Sequence, residues 1–499
     1  MSFETIKHYK KSKERNIVFS IFSNGLVSDK DEQMAEPAEC KNVYNLVYSG
    51  GALKTGLGFE ELKIPASASD NVMHKIRIVA SITSLHGMWM NRFWSSVNSR
   101  FAYQLVFLDQ TYQVWVVPIF DAYDGQMWAR QGNMSNISAP PSNTLNICTE
   151  SEDSFIFFTP EGMSWLGTSS EGFFQNVPQF ISTAVHYGKF FGIENTIHQP
   201  LVYTSNLNLK EWSSQNRVNI EFVDDRGASI KVVAFNDYVY IFRERGITRI
   251  SIYSSKDDFS YTHLYTSSSR IFEKSICVCG DKVLFMTREG LFSFNGNSVK
   301  KICENYDKYF MALDNKNCDC ACLDGKYYFA SKCSFGDGQQ IGCESGTYIN
   351  NIMFEVDVST NEVNVVRGVD IKMFTPIDTP YLSGLAMVFN NTNMLTIGKL
   401  CKNGKNLEEN TSKFWESFVS DLGFQGKRKR VKEVVLTTLY PCQLTISSDE
   451  GEKTISISGN QKEQHIRTNI YGKNFSFKFS TTEASCEIRK PMILFDVEA

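Results

Sequence analysis

The chain has 499 residues, of which 42% are hydrophobic, 21% charged and 13% aromatic, with a formal net charge of -4. That length allows two or three domains with a large core, and the balance of apolar and charged residues is that of a globular protein. A net charge of -4 provides no overall positive field to draw nucleic acid or an anionic membrane. No run approaches 18 apolar residues, and Met1-Ser-Phe-Glu-Thr-Ile-Lys7 has no apolar segment behind its charges. Neither a membrane helix nor a secretory leader is therefore expected. The 13 cysteines are odd in number and read as mostly reduced thiols of a chain made in a cytoplasm. With 37 Phe and 21 Tyr the composition leans toward strands.

Residues 1–68 are expected to form an N-terminal arm whose strands join the following domain. Val43-Tyr-Asn-Leu-Val-Tyr48 reads as one strand, and the segment from Gly50 to Gly58 as a glycine-rich turn. It is not a phosphate loop, because the Gly-Lys-Ser/Thr order and a following helix are missing. Gly87-Met-Trp-Met-Asn-Arg-Phe-Trp94 is dense in aromatics. These rings fit a core, and the competing reading is an exposed platform for stacking on sugars.

A series of hairpins follows. Tyr103–Leu108 turns at Asp109-Gln110 into Tyr112–Val117. Asp153-Ser-Phe-Ile-Phe-Phe-Thr-Pro-Glu-Gly162 aligns without gaps on Asp237-Tyr-Val-Tyr-Ile-Phe-Arg-Glu-Arg-Gly246 and on Asp281-Lys-Val-Leu-Phe-Met-Thr-Arg-Glu-Gly290. Each has an Asp, an apolar run, a charged turn and a Gly. Asp is expected to open a turn by bonding backbone, and Gly to supply a positive φ. The apolar run does not alternate, which implies burial on both faces. Asp237 to Asp281 is 44 residues, Asp281 to Asp324 is 43, and Asp153 to Asp237 is 84, or two units of 42. Weaker copies stand at Gly188–Glu194 with Leu201–Ser205, at Asp324–Ala330, and at Leu385–Phe389 with Met394–Ile397 around Asn390-Asn391.

A 42–44-residue period of short strands indicates a β-propeller. The expected fold is all-β: a six- to seven-bladed propeller over residues 69–402, with an insertion near 333–348. A polar linker, 403–412, and an antiparallel β-sandwich, 413–499, should follow. The sandwich is read from alternating strands at Lys432–Leu439, Cys442–Ser447, Thr454–Ser458, Phe475–Phe479 and Cys486–Arg489.

Candidate chemistry is sparse. Cys318-Asp-Cys-Ala-Cys322 puts three thiols on one face of a strand. Cys303, Cys333 or Cys343 could complete a metal site, but structural zinc prefers a C-x₂₋₄-C turn, so small buried hydrophobes are the expected role. The seven His (8, 74, 86, 186, 198, 263 and 465) form no ligand pattern, and no Gly-x-Ser-x-Gly elbow occurs. Lys427-Arg-Lys-Arg430 with Lys432 is the dense basic run, expected to be a solvated loop before a strand. Tyr203–Trp212 resembles the Asp-box turn of sialidase propellers, with Asn206 and Asn208 in the region and the internal Gly missing. No catalytic, cofactor-binding or metal residue is nominated.

Several phrases together resemble bacteriophage tail propeller proteins, the tail nozzle or tail tubular protein B and the packaged-DNA stabilisation proteins. They are Lys189-Phe-Phe-Gly192, Leu201-Val-Tyr-Thr-Ser205, Lys210-Glu-Trp-Ser213, Val239–Ile247, Lys274–Asp281 and Phe285–Gly296. Ala38–Asn42 through Gly51–Gly58 is similar to their opening segment, with Thr55-Gly-Leu-Gly58 departing from the usual Arg-x-Gly end. The resemblance covers roughly residues 35–300 and, more loosely, the C-terminal sandwich. It implies a non-enzymatic virion part without cofactor or membrane, assembled in the host cytoplasm. It further implies a hexameric ring of this chain between an adaptor and tail-fibre or tail-tip proteins, through which DNA passes without sequence-specific binding. The alternative is a receptor- or carbohydrate-binding propeller at a tail tip.

Overall fold

The computed structural model describes residues 14–18, 39–66, 72–95, 99–119, 125–129, 137–148, 153–167, 171–175, 177–204, 209, 212, 218–252, 259–335, 348–389, 395–407 and 409–498. Six four-stranded antiparallel sheets follow one another along the chain, and a seventh sheet of six strands joins its last segment to the N-terminal arm. We call them blades 1 to 7 and name the strands by residue range.

Blade 1 holds Leu85–Ser95, Arg100–Asp109, Val114–Pro118 and Trp128–Ala129, and blade 2 spans Asn143–Cys148 to Glu171–Gln175. Blade 3 runs from Phe180–His186 to Val218–Ile220, and blade 4 from Ser229–Phe235 to Phe259–Thr266. Blade 5 runs from Cys277–Cys279 to Val299–Ile302, and blade 6 from Leu313–Leu323 to Val363–Arg367. Blade 7 takes Ile371–Asp378, Ser383–Phe389 and Thr396–Cys401 from this part of the chain, and Gly58–Glu61 from the N-terminal arm as its fourth strand. First strands lie beside one another at six of the seven seams, and at the seventh Lys231 of blade 4 reaches Ile276 at the entry to blade 5. Apolar clusters join each blade to the next and blade 7 back to blade 1, so the ring is closed. The count is seven; the six-bladed alternative is set aside.

The hairpin reading holds, with two refinements. Lys282–Thr287 and Gly290–Phe294 are buried almost throughout, as burial between two neighbouring blades requires. Gly162 and Gly290 take positive φ of 155° and 133° at the turn into the third strand. Gly246 does not; it is needed there for space, since a Cβ would lie 2.7 Å from the Tyr265 carbonyl oxygen. Asp-to-backbone turn bonds are found at Asp109, which accepts from Thr111 N (2.8 Å) and Gln113 N (3.0 Å), and at Asp357, which accepts from Ser359 N (2.9 Å) and was not among the expected turn residues. Asp237 instead accepts from Tyr187 Oη of blade 3 (2.9 Å). The Asn390-Asn391 turn, Asn206 with Asn208, and most of the 333–348 insertion lie outside the described residues.

The C-terminal domain is a sandwich of two antiparallel sheets. One contains Lys429–Thr438, Glu463–Gly472 and Glu487–Val497; the other contains Lys413–Ser417, Cys442–Ser448, Gly451–Ile457 and Phe475–Thr481. The arm contributes strands to both. Val43–Tyr48 is not one strand: Cys40–Tyr44 pairs with Lys413–Ser417, and Leu46–Ser49 belongs to the other sheet through its hairpin with Ala52–Thr55. The break is Asn45, at φ 58°. Its Nδ2 donates to Arg367 O (3.0 Å) and Ser412 O (2.7 Å), and its Oδ1 accepts from Arg367 N (2.9 Å), which fixes the switch point against blade 6. A residue with a short amide side chain tolerates this left-handed conformation. Glu14–Val18 adds to the edge of Glu487–Val497.

Candidate functional site at the propeller axis

The first strands of the blades leave a cavity of about 700 Å³ at one place along the axis. Its wall carries Lys231, Lys274 and Lys372, the carboxylates of Glu273 and Asp319, and the thiols of Cys277, Cys318 and Cys320. Burial pushes the Asp319 carboxyl up to about 6 and raises Glu273, and it lowers the Lys372 ammonium. Perturbed groups in a cleft are where chemistry is sought, so what each group touches decides the reading.

Most of the polar groups near the axis are used to tie blades together. Asn146 Nδ2 of blade 2 donates to Asn91 Oδ1 of blade 1 (2.7 Å), and Asn143 Nδ2 to Thr183 Oγ1 of blade 3 (2.6 Å). Ser182 Oγ of blade 3 accepts from Val232 N of blade 4 (3.0 Å). Lys231 Nζ of blade 4 donates to Ile276 O at the entry to blade 5 (2.7 Å). Tyr327 Oη of blade 6 donates to Ser275 O in the same entry segment (2.7 Å). Asp319 Oδ2 of blade 6 accepts from Phe374 N of blade 7 (2.7 Å), and Lys372 Nζ of blade 7 donates to Leu85 O of blade 1 (2.5 Å). Each of the seven seams thus has a side-chain hydrogen bond at the axis. A buried polar group left unpaired would cost about 1–3 kcal/mol, so the ties also fix the blade register. Three of the cavity's charged groups, Lys231, Asp319 and Lys372, are spent on backbone partners of the next blade.

The sequence candidates settle as follows. Trp89 packs edge-on to Phe157 of blade 2 with centroids 5.6 Å apart, and Trp94 packs on Phe101 at 5.0 Å, so both rings are engaged in packing. The basic run is engaged at its own domain. Arg428 pairs with Glu450 (2.6 Å) and Glu498 (3.2 Å), Arg430 donates to Asn469 Oδ1 (2.7 Å), and Lys432 lies 3.7 Å from Asp496. Lys429 is fully buried and donates to the carbonyls of Phe424 and Lys427. It belongs to a strand, so the expected loop covers only the start of the run.

Cys318, Cys320 and Cys322 do share one strand, the first of blade 6. Their neighbours are Cys277 and Cys279 on the first strand of blade 5, a pairing the sequence reading missed. The signal was present: Cys277 to Cys320 and Cys279 to Cys322 are each 43 residues, one repeat, so equivalent positions of consecutive blades meet. Among the described residues no group of three or more His, Cys, Asp or Glu is placed to hold a metal ion, and Cys343 lies outside them.

One arrangement on blade 4 imitates a hydrolase. Thr248 Oγ1 is 2.9 Å from His263 Nδ1, and His263 Nε2 is 3.6 Å from Asp224. Thr248 is fully buried, so no substrate reaches its hydroxyl. Asp224 is instead the partner of the buried Arg243 at 2.7 Å, and that bond holds its carboxyl down at about 2. Among the described residues no helix is long and apolar enough to cross a membrane.

No family model and no curated protein matches the chain. Among solved structures it is similar to the Neurospora crassa Pan2 WD40 domain, with 10% identity, TM-score 0.36, and coverage of 59% of this chain and 85% of that one. It is also similar to the extracellular domain of a one component system protein from B. thetaiotaomicron (10%, TM-score 0.40, 90% and 69%) and to BamB from Moraxella catarrhalis (11%, TM-score 0.27, 46% and 66%). Likenesses at these identities and scores bear on neither activity nor partners. The closed order of seven sheets makes the fold a β-propeller on the chain's own geometry.

Proposed function

We propose that the chain is a non-enzymatic structural part of a bacteriophage tail. In this reading it is a ring-forming nozzle or tail-tube component below the adaptor, through which genomic DNA is retained and ejected. The observation that carries the reading is the axis and its seams, where side-chain hydrogen bonds tie each of the seven blades to the next. A rigid block suits a ring subunit better than an enzyme, whose reacting groups must be free to meet substrate. The phrases from Lys189 to Gly296 that resemble tail propeller proteins support the same reading. A net charge of -4 suits a channel that DNA must leave, since phosphate affinity comes mainly from Lys and Arg contacts.

The partners are then copies of the same chain, six to a ring, with the adaptor above and fibre or tail-tip proteins below. The location is the virion, after assembly in the host cytoplasm. Negative-stain microscopy and light scattering of the purified protein test this, together with mass spectrometry of purified particles. Rings of six and presence in particles are expected. A strictly monomeric protein missing from particles overturns the reading.

A further inference from the structure

The seam between blades 5 and 6 differs from the others. Its tie comes from Tyr327, on the second strand of blade 6, while the two first strands meet through sulfur. Cys277 is the neighbour of Cys320 across the seam, and Cys279 of Cys322, each pair at equivalent positions of the two adjacent first strands. The pairs repeat at one period, and the two first strands are neighbours. Cys277 and Cys320 are partly exposed and line the axial cavity. Cys279 is buried at 1% exposure, and neither it nor Cys322 lines the cavity.

We propose that Cys277 and Cys320 are a disulfide-forming pair that staples blade 5 to blade 6, closed by exchange with a low-molecular-mass disulfide entering the axial cavity. The thiolate is the nucleophile of such exchange. The S–H groups of Cys279 and Cys320 facing the Cys277 sulfur, helped by Lys231 nearby, hold its thiol below the usual range. Cys277 loses its proton to solvent and attacks one sulfur of the small disulfide, which breaks and releases one small thiolate. The Cys320 thiol then loses its proton and attacks the Cys277 sulfur of the mixed disulfide, releasing the second small thiolate. Two protein thiols are oxidised and one small disulfide is reduced to two thiols, so electrons and protons balance. In a reducing cytoplasm the pair stays open; in oxidising surroundings it closes. The chemistry does not depend on the proposed function.

The test uses the full-length protein, purified reduced and incubated with oxidised glutathione, then alkylated and mapped by peptide mass spectrometry without reduction. A linked peptide pair containing Cys277 and Cys320 is expected, with loss of two alkylatable thiols per chain. Cys279→Ser should keep the link. Cys320→Ser should leave Cys277 as a persistent glutathione mixed disulfide, a readout that does not require the second step. Full alkylation of both residues in the treated protein, or a link found at Cys279 and Cys322 instead, overturns the proposal.

Discussion

The propeller and the sandwich bury their strands differently, and the difference is written in the burial of single strands. Gly290–Phe294 of blade 5 is buried at every position, whereas Phe475–Thr481 of the sandwich alternates between buried and half-buried residues. A blade's middle strand faces another blade on each side, so Phe242 of blade 4 meets Phe285 of blade 5 at 5.6 Å. A sandwich strand has one inner face. The propeller therefore spreads its core over seven seams, each needing its own register, and the polar ties at the axis supply it. The sandwich has one core, and there alternation of buried and half-buried residues is the main determinant of register. The two are not independent, because the arm that supplies sandwich strands goes on to close blade 7 at Gly58–Glu61.

The strongest way to break this comparison is to weaken the closing strand. Phe59 is fully buried there and meets Phe389 of the same blade edge-on at 5.2 Å. Phe59→Ala is expected to destabilise the protein by about 3–5 kcal/mol, the usual cost of removing a buried ring. The arm links the closing strand to both sheets of the sandwich, so a single unfolding transition should move as a whole. Urea titration followed by far-UV circular dichroism and by tryptophan fluorescence checks it. Two separated transitions, with only one displaced, would show that the sandwich does not sense ring closure.

Much of this architecture was legible in advance. The Asp-to-Gly hairpins gave the period because burial on both faces forces continuous apolar runs, and the sandwich showed itself by alternation. What remained hidden depends on partners distant in sequence. Nothing local marks Gly58–Glu61 as the last strand of a blade whose other strands begin at Ile371. Glu463–Gly472 was not among the expected strands, because its first half is largely exposed and polar and offers no apolar alternation. Asn45 sits inside an apolar run, and only the pairing shows that the chain changes sheet there. The axial ties were invisible for a similar reason. Asn143, Ser182 and Lys231 are ordinary polar residues until the ring places each against the next blade.

A smaller effect sharpens the account of the axis. Asp319 has its carboxyl pushed up to about 6 by burial, against about 3.9 in an unfolded chain. Between those values the folded state keeps a proton that the unfolded state has lost. Raising the pH from about 4 to 6 therefore lowers stability through this group, by about 1–3 kcal/mol once complete. Asp319→Asn removes the titration and keeps an oxygen to accept from Phe374 N. Relative to the variant, the unmodified protein should lose stability across that window. Thermal melts at several pH values read the difference, and parallel curves would mean that Asp319 does not titrate in this range.

The smallest expected effect separates the sandwich surface from its core. Arg428 is the most conspicuous cation of the basic run, yet its guanidinium is already shared between Glu450 and Glu498 and lies over the Tyr471 ring at 4.8 Å. Those carboxylates hold its proton more firmly than usual. Exposed ion pairs contribute little, because water and salt screen them and two long side chains must be held still. Arg428→Ala is therefore expected to leave the melting curve within experimental error. An arginine whose charge is matched by two carboxylates of its own domain also has little left for a polyanion. Retention on a heparin column should be the same for Arg428→Ala and for the unmodified chain at low salt. Earlier elution of the variant would show that the run reaches beyond its own carboxylates.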